Sequence, residues 1–181
     1  KSIVKHEFDN IEVLDKLKTA VLEEDGTLWI GGRRGLMKKT ATGNLVITSE
    51  QGLVNDNVRV ITLDSKDQVW IGTFYGVSVL NNSGDTLRHF TSSNGLSHDY
   101  VMSIMEDEDG TIGIGTRSRL NIVYGDEIKI YNSKNGLAGD FVFRTYRDRD
   151  GVMWVLGNAG LTRIKEGVFT SITSKNGLIS N

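Results

Sequence analysis

Along this chain, apolar runs of five or six residues alternate with polar, glycine-bearing breaks. The clearest stretch reads VRVITL, VWIGT, VSVLN and TLRHFT, from Val58 to Thr91, with SKDQ, FYG and NNSGD as the connections. Short runs rich in β-branched residues predict strands, and breaks of this composition predict tight turns. The runs are apolar at consecutive positions, which suits sheets covered on both faces. One segment departs from the rule. Residues 11–24, IEVLDKLKTAVLEE, space Ile11, Leu14, Leu17 and Val21 almost as a helix would.

The pattern repeats. Gly-Leu recurs at Gly52, Gly95, Gly136 and Gly177, in steps of 43, 41 and 41, and four residues after each glycine stand Asp56, Asp99, Asp140 and Asn181. Tryptophan recurs at Trp29, Trp70 and Trp154 within LWIGG, VWIGT and MWVLG, while the third copy, IGIGT, has Gly113 in its place. Gly35, Gly76, Arg119 and Gly160 follow in register. The same register puts a worn copy of the loop at Asn10 to Asp15. It makes Leu17 to Glu23 a first strand, against the helical spacing. The two extra residues of the second copy fall in Asn81 to Asp85, which marks a hairpin tip.

Four short strands in each period of 41 to 43 residues are the arithmetic of a β-propeller blade. The predicted fold is all-β, with four four-stranded antiparallel blades at 10–50, 51–93, 94–134 and 135–175. Residues 1–9 read as the outer strand of a preceding blade, and 176–181 as the start of a following one. Four blades are then part of a larger propeller, or pair with a second copy into an eight-bladed ring, or close alone. The first two suit the flat, Trp-bearing faces better. The tryptophans are expected to be buried between blades.

The stretch GLVNDNVRVITLDSKDQVWIGTFYGV resembles the two-component regulator propeller repeat. GLSHDYVMSIMEDEDGTIGIGTRSRL and GLAGDFVFRTYRDRDGVMWVLGNAGL keep its frame. The likeness covers nearly the whole chain. It departs where the family has proline after Gly-Leu, since Val54, Ser97, Ala138 and Ile179 stand there, and in having Asp where the family favours Asn. The resemblance implies a periplasmic sensing region of a bacterial hybrid histidine kinase. It implies a carbohydrate-derived cue, with a membrane helix and a kinase elsewhere in the parent protein.

Composition narrows the partners. The chain holds 21 basic and 23 acidic residues, a net charge of −2, with no basic run, so neither nucleic acid nor a membrane surface is expected as a partner. No apolar stretch is long enough to span a bilayer. Zero cysteines exclude disulfides and thiolate metal sites. The 21 glycines, with no proline, fit a turn-rich chain.

No catalytic or metal motif emerges. The DEDG and DRDG turns lack the remaining ligands of a calcium loop. His6, His89 and His98 are scattered, and there is no GxSxG. No metal and no cofactor is expected. In a four-stranded meander the second-to-third turns share a face with the blade-to-blade loops. That face carries Arg33, Arg34, Phe74, Tyr75, His98, Arg117 and Asn158, the candidate ligand-binding residues. Guanidinium forks take carboxylate or sulfate, and aromatic rings stack on sugars. The expected partners are an oligosaccharide or other small ligand, and a second copy through open blade faces. The leading function is non-catalytic ligand sensing. A protein-interaction scaffold is the alternative, and a metal-dependent propeller lyase, with His98 as its base, comes third.

Overall fold

The computed structural model describes residues 14–178. The expected strand at 1–9, most of the loop at Asn10 to Asp15 and the last residues of the chain lie outside them. Among the described residues four separate sheets form, each a meander of four antiparallel strands in chain order. Blade 1 comprises β1 (Thr19–Leu22), β2 (Leu28–Gly32), β3 (Gly35–Thr40) and β4 (Gly43–Ile47). Blade 2 comprises β5 (Val58–Leu63), β6 (Val69–Thr73), β7 (Gly76–Leu80) and β8 (Thr86–Phe90). Blade 3 comprises β9 (Val101–Glu106), β10 (Ile112–Thr116), β11 (Leu120–Tyr124) and β12 (Glu127–Tyr131). Blade 4 comprises β13 (Val142–Arg147), β14 (Met153–Gly157), β15 (Gly160–Lys165) and β16 (Val168–Ile172). The near-helical spacing before Asp25 gives way to β1, whose Val21 pairs with Trp29 of β2. The repeat register, not the local period, describes this segment.

The first strands β1, β5, β9 and β13 lie side by side in that order, so neighbouring blades pack face to face around an axis. Apolar layers fill the gaps. Trp29, Val58, Ile61 and Ile71 cluster between blades 1 and 2, and Trp70, Ile104, Ile112 and Val123 between blades 2 and 3. Met105, Leu120, Val142 and Met153 cluster between blades 3 and 4. Burying each such side chain contributes roughly 1.5–3 kcal/mol. Trp29 and Trp70 are buried as expected. Trp154 is only half-buried. Successive strand residues point to opposite faces. Met153 and Val155 therefore meet blade 3 while Trp154 and Leu156 point away from it. Leu156 is 48% exposed and Tyr146 is 59% exposed.

Close approach between blades depends on glycine. A Cβ at Gly72 would lie 2.6 Å from Val101 Cγ1, and one at Gly115 would lie 2.6 Å from Val142 Cγ1. Each glycine thus admits the first strand of the next blade. In blade 4 the same register holds Leu156.

The recurring loop has its own physical logic. A turn of 3-10 helix at Ser49–Gln51, Ser92–Asn94 and Ser133–Asn135 precedes each Gly-Leu, and the glycine takes a positive φ, +108° at Gly52. The aspartate that keeps the period staples this turn. Asp56, Asp99 and Asp140 accept the N–H of Ser49, Ser92 and Ser133 at 2.5, 2.6 and 2.7 Å. The residues standing in the family's proline position use the N–H that proline lacks. Val54 donates to Ser78 Oγ at 2.8 Å, Ser97 to Asn121 Oδ1 at 2.8 Å and Ala138 to Thr162 Oγ1 at 2.7 Å. All three acceptors are buried side chains.

Candidate functional site: a cation–aromatic ladder beside an axial cavity

The face carrying the second-to-third turns gathers residues from several repeat positions. Each turn is tied to the entry of a first strand. Arg117 N–H donates to Tyr100 O at 3.1 Å, Asn158 N–H to Phe141 O at 3.1 Å and Arg34 N–H to Leu14 O at 3.0 Å. These ties bring turn side chains over the strand entries. The result is an alternating row of cations and rings. Lys18 Nζ lies 5.0 Å from the Phe74 ring centre. Arg59 Cζ lies 5.2 Å from Phe74 and 4.6 Å from Tyr100. Arg117 Cζ lies 4.7 Å from Tyr100 and 5.7 Å from Phe141. Phe74 meets Tyr100 edge-on at 4.4 Å, and Phe141 packs on Phe143 at 4.8 Å. Such cation–ring contacts contribute about 0.5–1 kcal/mol each at exposed sites.

Beneath the row, the four first strands line a cavity of about 500 Å³ on the axis. Among the described residues Lys18, Arg59 and Arg144 are its charged lining residues, with no carboxylate beside them. Lys18 Nζ donates to Asn57 Oδ1 at 2.6 Å. Burial, and then the nearby Arg59 and Arg33 charges, hold the Lys18 ammonium below its ordinary range. The Arg59 Nε is a buried donor with no partner among the described residues. Among the described residues the lining is therefore net positive, with one guanidinium donor unpaired.

The sequence-based candidates divide. Phe74 and Arg117 belong to the row, and Arg33 stands close enough to Lys18 to disfavour its proton. Tyr75, 64% exposed, and Arg34, also exposed, make none of the row's ring contacts. His98 serves the backbone, accepting the Tyr100 N–H on Nδ1 at 2.9 Å. Asn158 does the same, accepting the Phe141 N–H on Oδ1 at 3.1 Å. Lys18, Arg59, Tyr100, Phe141 and Arg144 were missed, because they lie at or just before the first strands. A signal was available: Lys18 and Arg59 share one repeat position, as do Tyr100 and Phe141. Among the described residues no group of three His, Cys, Asp or Glu could hold a metal ion.

Residues 52–75, from the Gly52 turn through β5 and β6 to Tyr75, match the family model described as two-component regulator propeller. The match falls within the first half of blade 2. No curated protein matches the chain. Among solved structures, the chain is similar to the extracellular domain of a protein described as a hybrid two component system, BT3049 of B. thetaiotaomicron. Identity is 25% with a TM-score of 0.78, over 91% of this chain and 24% of that one. The corresponding domain of BT4673 from the same organism gives 19% identity and a TM-score of 0.74, over 88% of this chain and 25% of that one. The chain thus spans about a quarter of the length of these relatives. A virginiamycin B lyase from Staphylococcus aureus, 18% identical with a TM-score of 0.73 over 93% of this chain and 59% of that one, shares the propeller fold. The chain is a propeller domain related to extracellular regions of hybrid two-component systems. Among its described residues no helix is long and apolar enough to cross a membrane.

Proposed function

We propose that this chain is a non-catalytic, ligand-sensing propeller region of a periplasmic two-component regulator. Its ligand is an anionic, carbohydrate-derived molecule held where the cation–aromatic row meets the axial cavity. The cavity lining supports this reading: among the described residues it has three cations, no carboxylate and an unpartnered Arg59 donor, beside the rings of Phe74, Tyr100 and Phe141. Carboxylate or sulfate groups satisfy the guanidinium donors, and pyranose faces pack on the rings. Titration calorimetry of the chain with uronate-bearing and neutral oligosaccharides of equal length tests it. Acidic chains bind, neutral ones bind at least about tenfold more weakly, and added salt weakens the acidic ones. Equal affinity for both, unchanged in Arg59→Met with Arg117→Met, would sink the proposal.

The half-buried Trp154 beside exposed Tyr146 and Leu156 supports a second role for the blade 4 face, as a surface covered by another copy or by further blades. Light scattering reads it directly, and a monomer at all concentrations argues against self-association.

A further inference from the structure

Blade 3 lacks the tryptophan that its neighbours carry, and a cavity lies among the counterparts of that ring's neighbours, where Tyr131 stacks on Phe169 at 4.9 Å. In blade 2, Trp70 lies between blades 2 and 3. It stacks on Phe90 at 5.6 Å, packs with Val79, Ile112 and Val123, and has the Arg88 guanidinium 5.3 Å from its ring. Its indole N–H donates to Asp64 Oδ2 at 2.8 Å, six residues back. Trp29 with Glu23 and Trp154 with Asp148 repeat that bond. One repeat on, Gly113 replaces Trp70, but every neighbour has its counterpart: Tyr131 for Phe90, Ile122 for Val79, Met153 for Ile112, Ile164 for Val123 and Lys129 for Arg88. The acceptor persists too, as Asp107 for Asp64.

All six of these counterparts line one cavity of about 340 Å³ between blades 3 and 4. The matching space beside Trp70 is about 30 Å³. The larger volume is within the range of small-molecule pockets. At its polar end Asp107 Oδ1 accepts the Glu108 N–H at 2.9 Å and has Arg147 Nε 3.6 Å away, while no hydrogen bond to Oδ2, the atom that in Asp64 takes the indole N–H, is seen among the described residues.

We infer that this cavity is a second binding site, distinct from the axial one, for a flat heteroaromatic ligand with a ring N–H, of the indole class. The ring lies against Tyr131, between Ile122 and the Met153–Ile164 wall, with Lys129 near its π face and its N–H on Asp107. These are the contacts that Trp70 makes within the chain. Nothing in this inference rests on the anionic site.

Indole itself is the probe, and 1-methylindole, which has no N–H, the control. Methyl NMR of the full chain follows the Met153 Cε and Ile164 methyls during each titration. Indole shifts both signals saturably, and 1-methylindole binds at least about tenfold more weakly, because the bond to a charged acceptor is lost. Gly113→Trp fills the space from within, raises Tm and abolishes the indole-dependent shifts. Absence of a saturable shift at millimolar indole overturns the inference. So does equal affinity for the two ligands, a result that the wild-type chain delivers even if G113W fails to fold.

Discussion

Trp154 Nε1 donates to Asp148 Oδ2 at 2.7 Å, and that bond, ahead of the Val152 and Asp150 N–H groups, holds the Asp148 carboxyl below the ordinary carboxylate range. A carboxyl depressed in the folded state contributes stability that is fully present above its unfolded pKa and is lost as pH falls through its folded one. Trp154→Phe keeps the ring and removes the donor. Asp148 then titrates at higher pH, closer to an ordinary aspartate. A carbon-detected NMR titration of Asp148 in both proteins checks this, and superimposable curves would contradict it.

The N–H groups of Val54 and Ala138 predict that proline, the family's usual residue there, is harmful in this chain. Val54→Pro or Ala138→Pro leaves a buried Ser78 or Thr162 hydroxyl without its donor, at a cost of about 1–3 kcal/mol each in urea unfolding. Pairing A138P with Thr162→Val removes the hydroxyl that has lost its backbone donor and recovers part of the loss. Full stability in A138P alone would mean that the bond contributes nothing.

The blade-to-blade approach at glycine makes a paired prediction. A Cβ at Gly115 meets Ser103 Oγ at 2.5 Å and Val142 Cγ1 at 2.6 Å, so Gly115→Ala overpacks the interface and costs about 1–3 kcal/mol. Leu156→Ala, at the same repeat position on an exposed face, changes stability by about 0.5 kcal/mol or less. Parallel denaturant curves decide, and a harmless G115A would show that the blades can part without cost.

Lys18 reports on the cation cluster. Its ammonium is disfavoured in the folded state, so unfolding takes up protons between its folded pKa and the unfolded value of 10.5, and stability rises with pH across that window. Arg59→Met removes the larger of the two repulsions and moves the Lys18 pKa upward. Side-chain nitrogen NMR of Lys18 measures the shift, and a fixed pKa would place the repulsion elsewhere.

Much of the architecture is readable from the chain because each blade repeats the same local problem. Gly52, Gly95 and Gly136 need positive φ, and Asp56, Asp99 and Asp140 staple a turn, so they keep a period that one sequence reveals by itself. Exposure of Trp154 was not readable, since it keeps the repeat register of the buried Trp29 and Trp70. The functional face was half readable. Turn residues such as Phe74 and Arg117 announce themselves by their place between the second and third strands of a repeat. Arg59 and Tyr100 sit at the rim of core strands, and only the fold brings them within reach of those turns.

The glycine-to-leucine change at position 156 gives the stack a direction. Each blade presents a ridge to the one before it, Val58, Val101 or Val142, and blades 1 to 3 answer with a notch at Gly31, Gly72 or Gly115. Blade 4 has the ridge and no notch. A surface docked on Trp154 and Leu156 would therefore stand farther from β14 than any blade stands from its neighbour among the described residues.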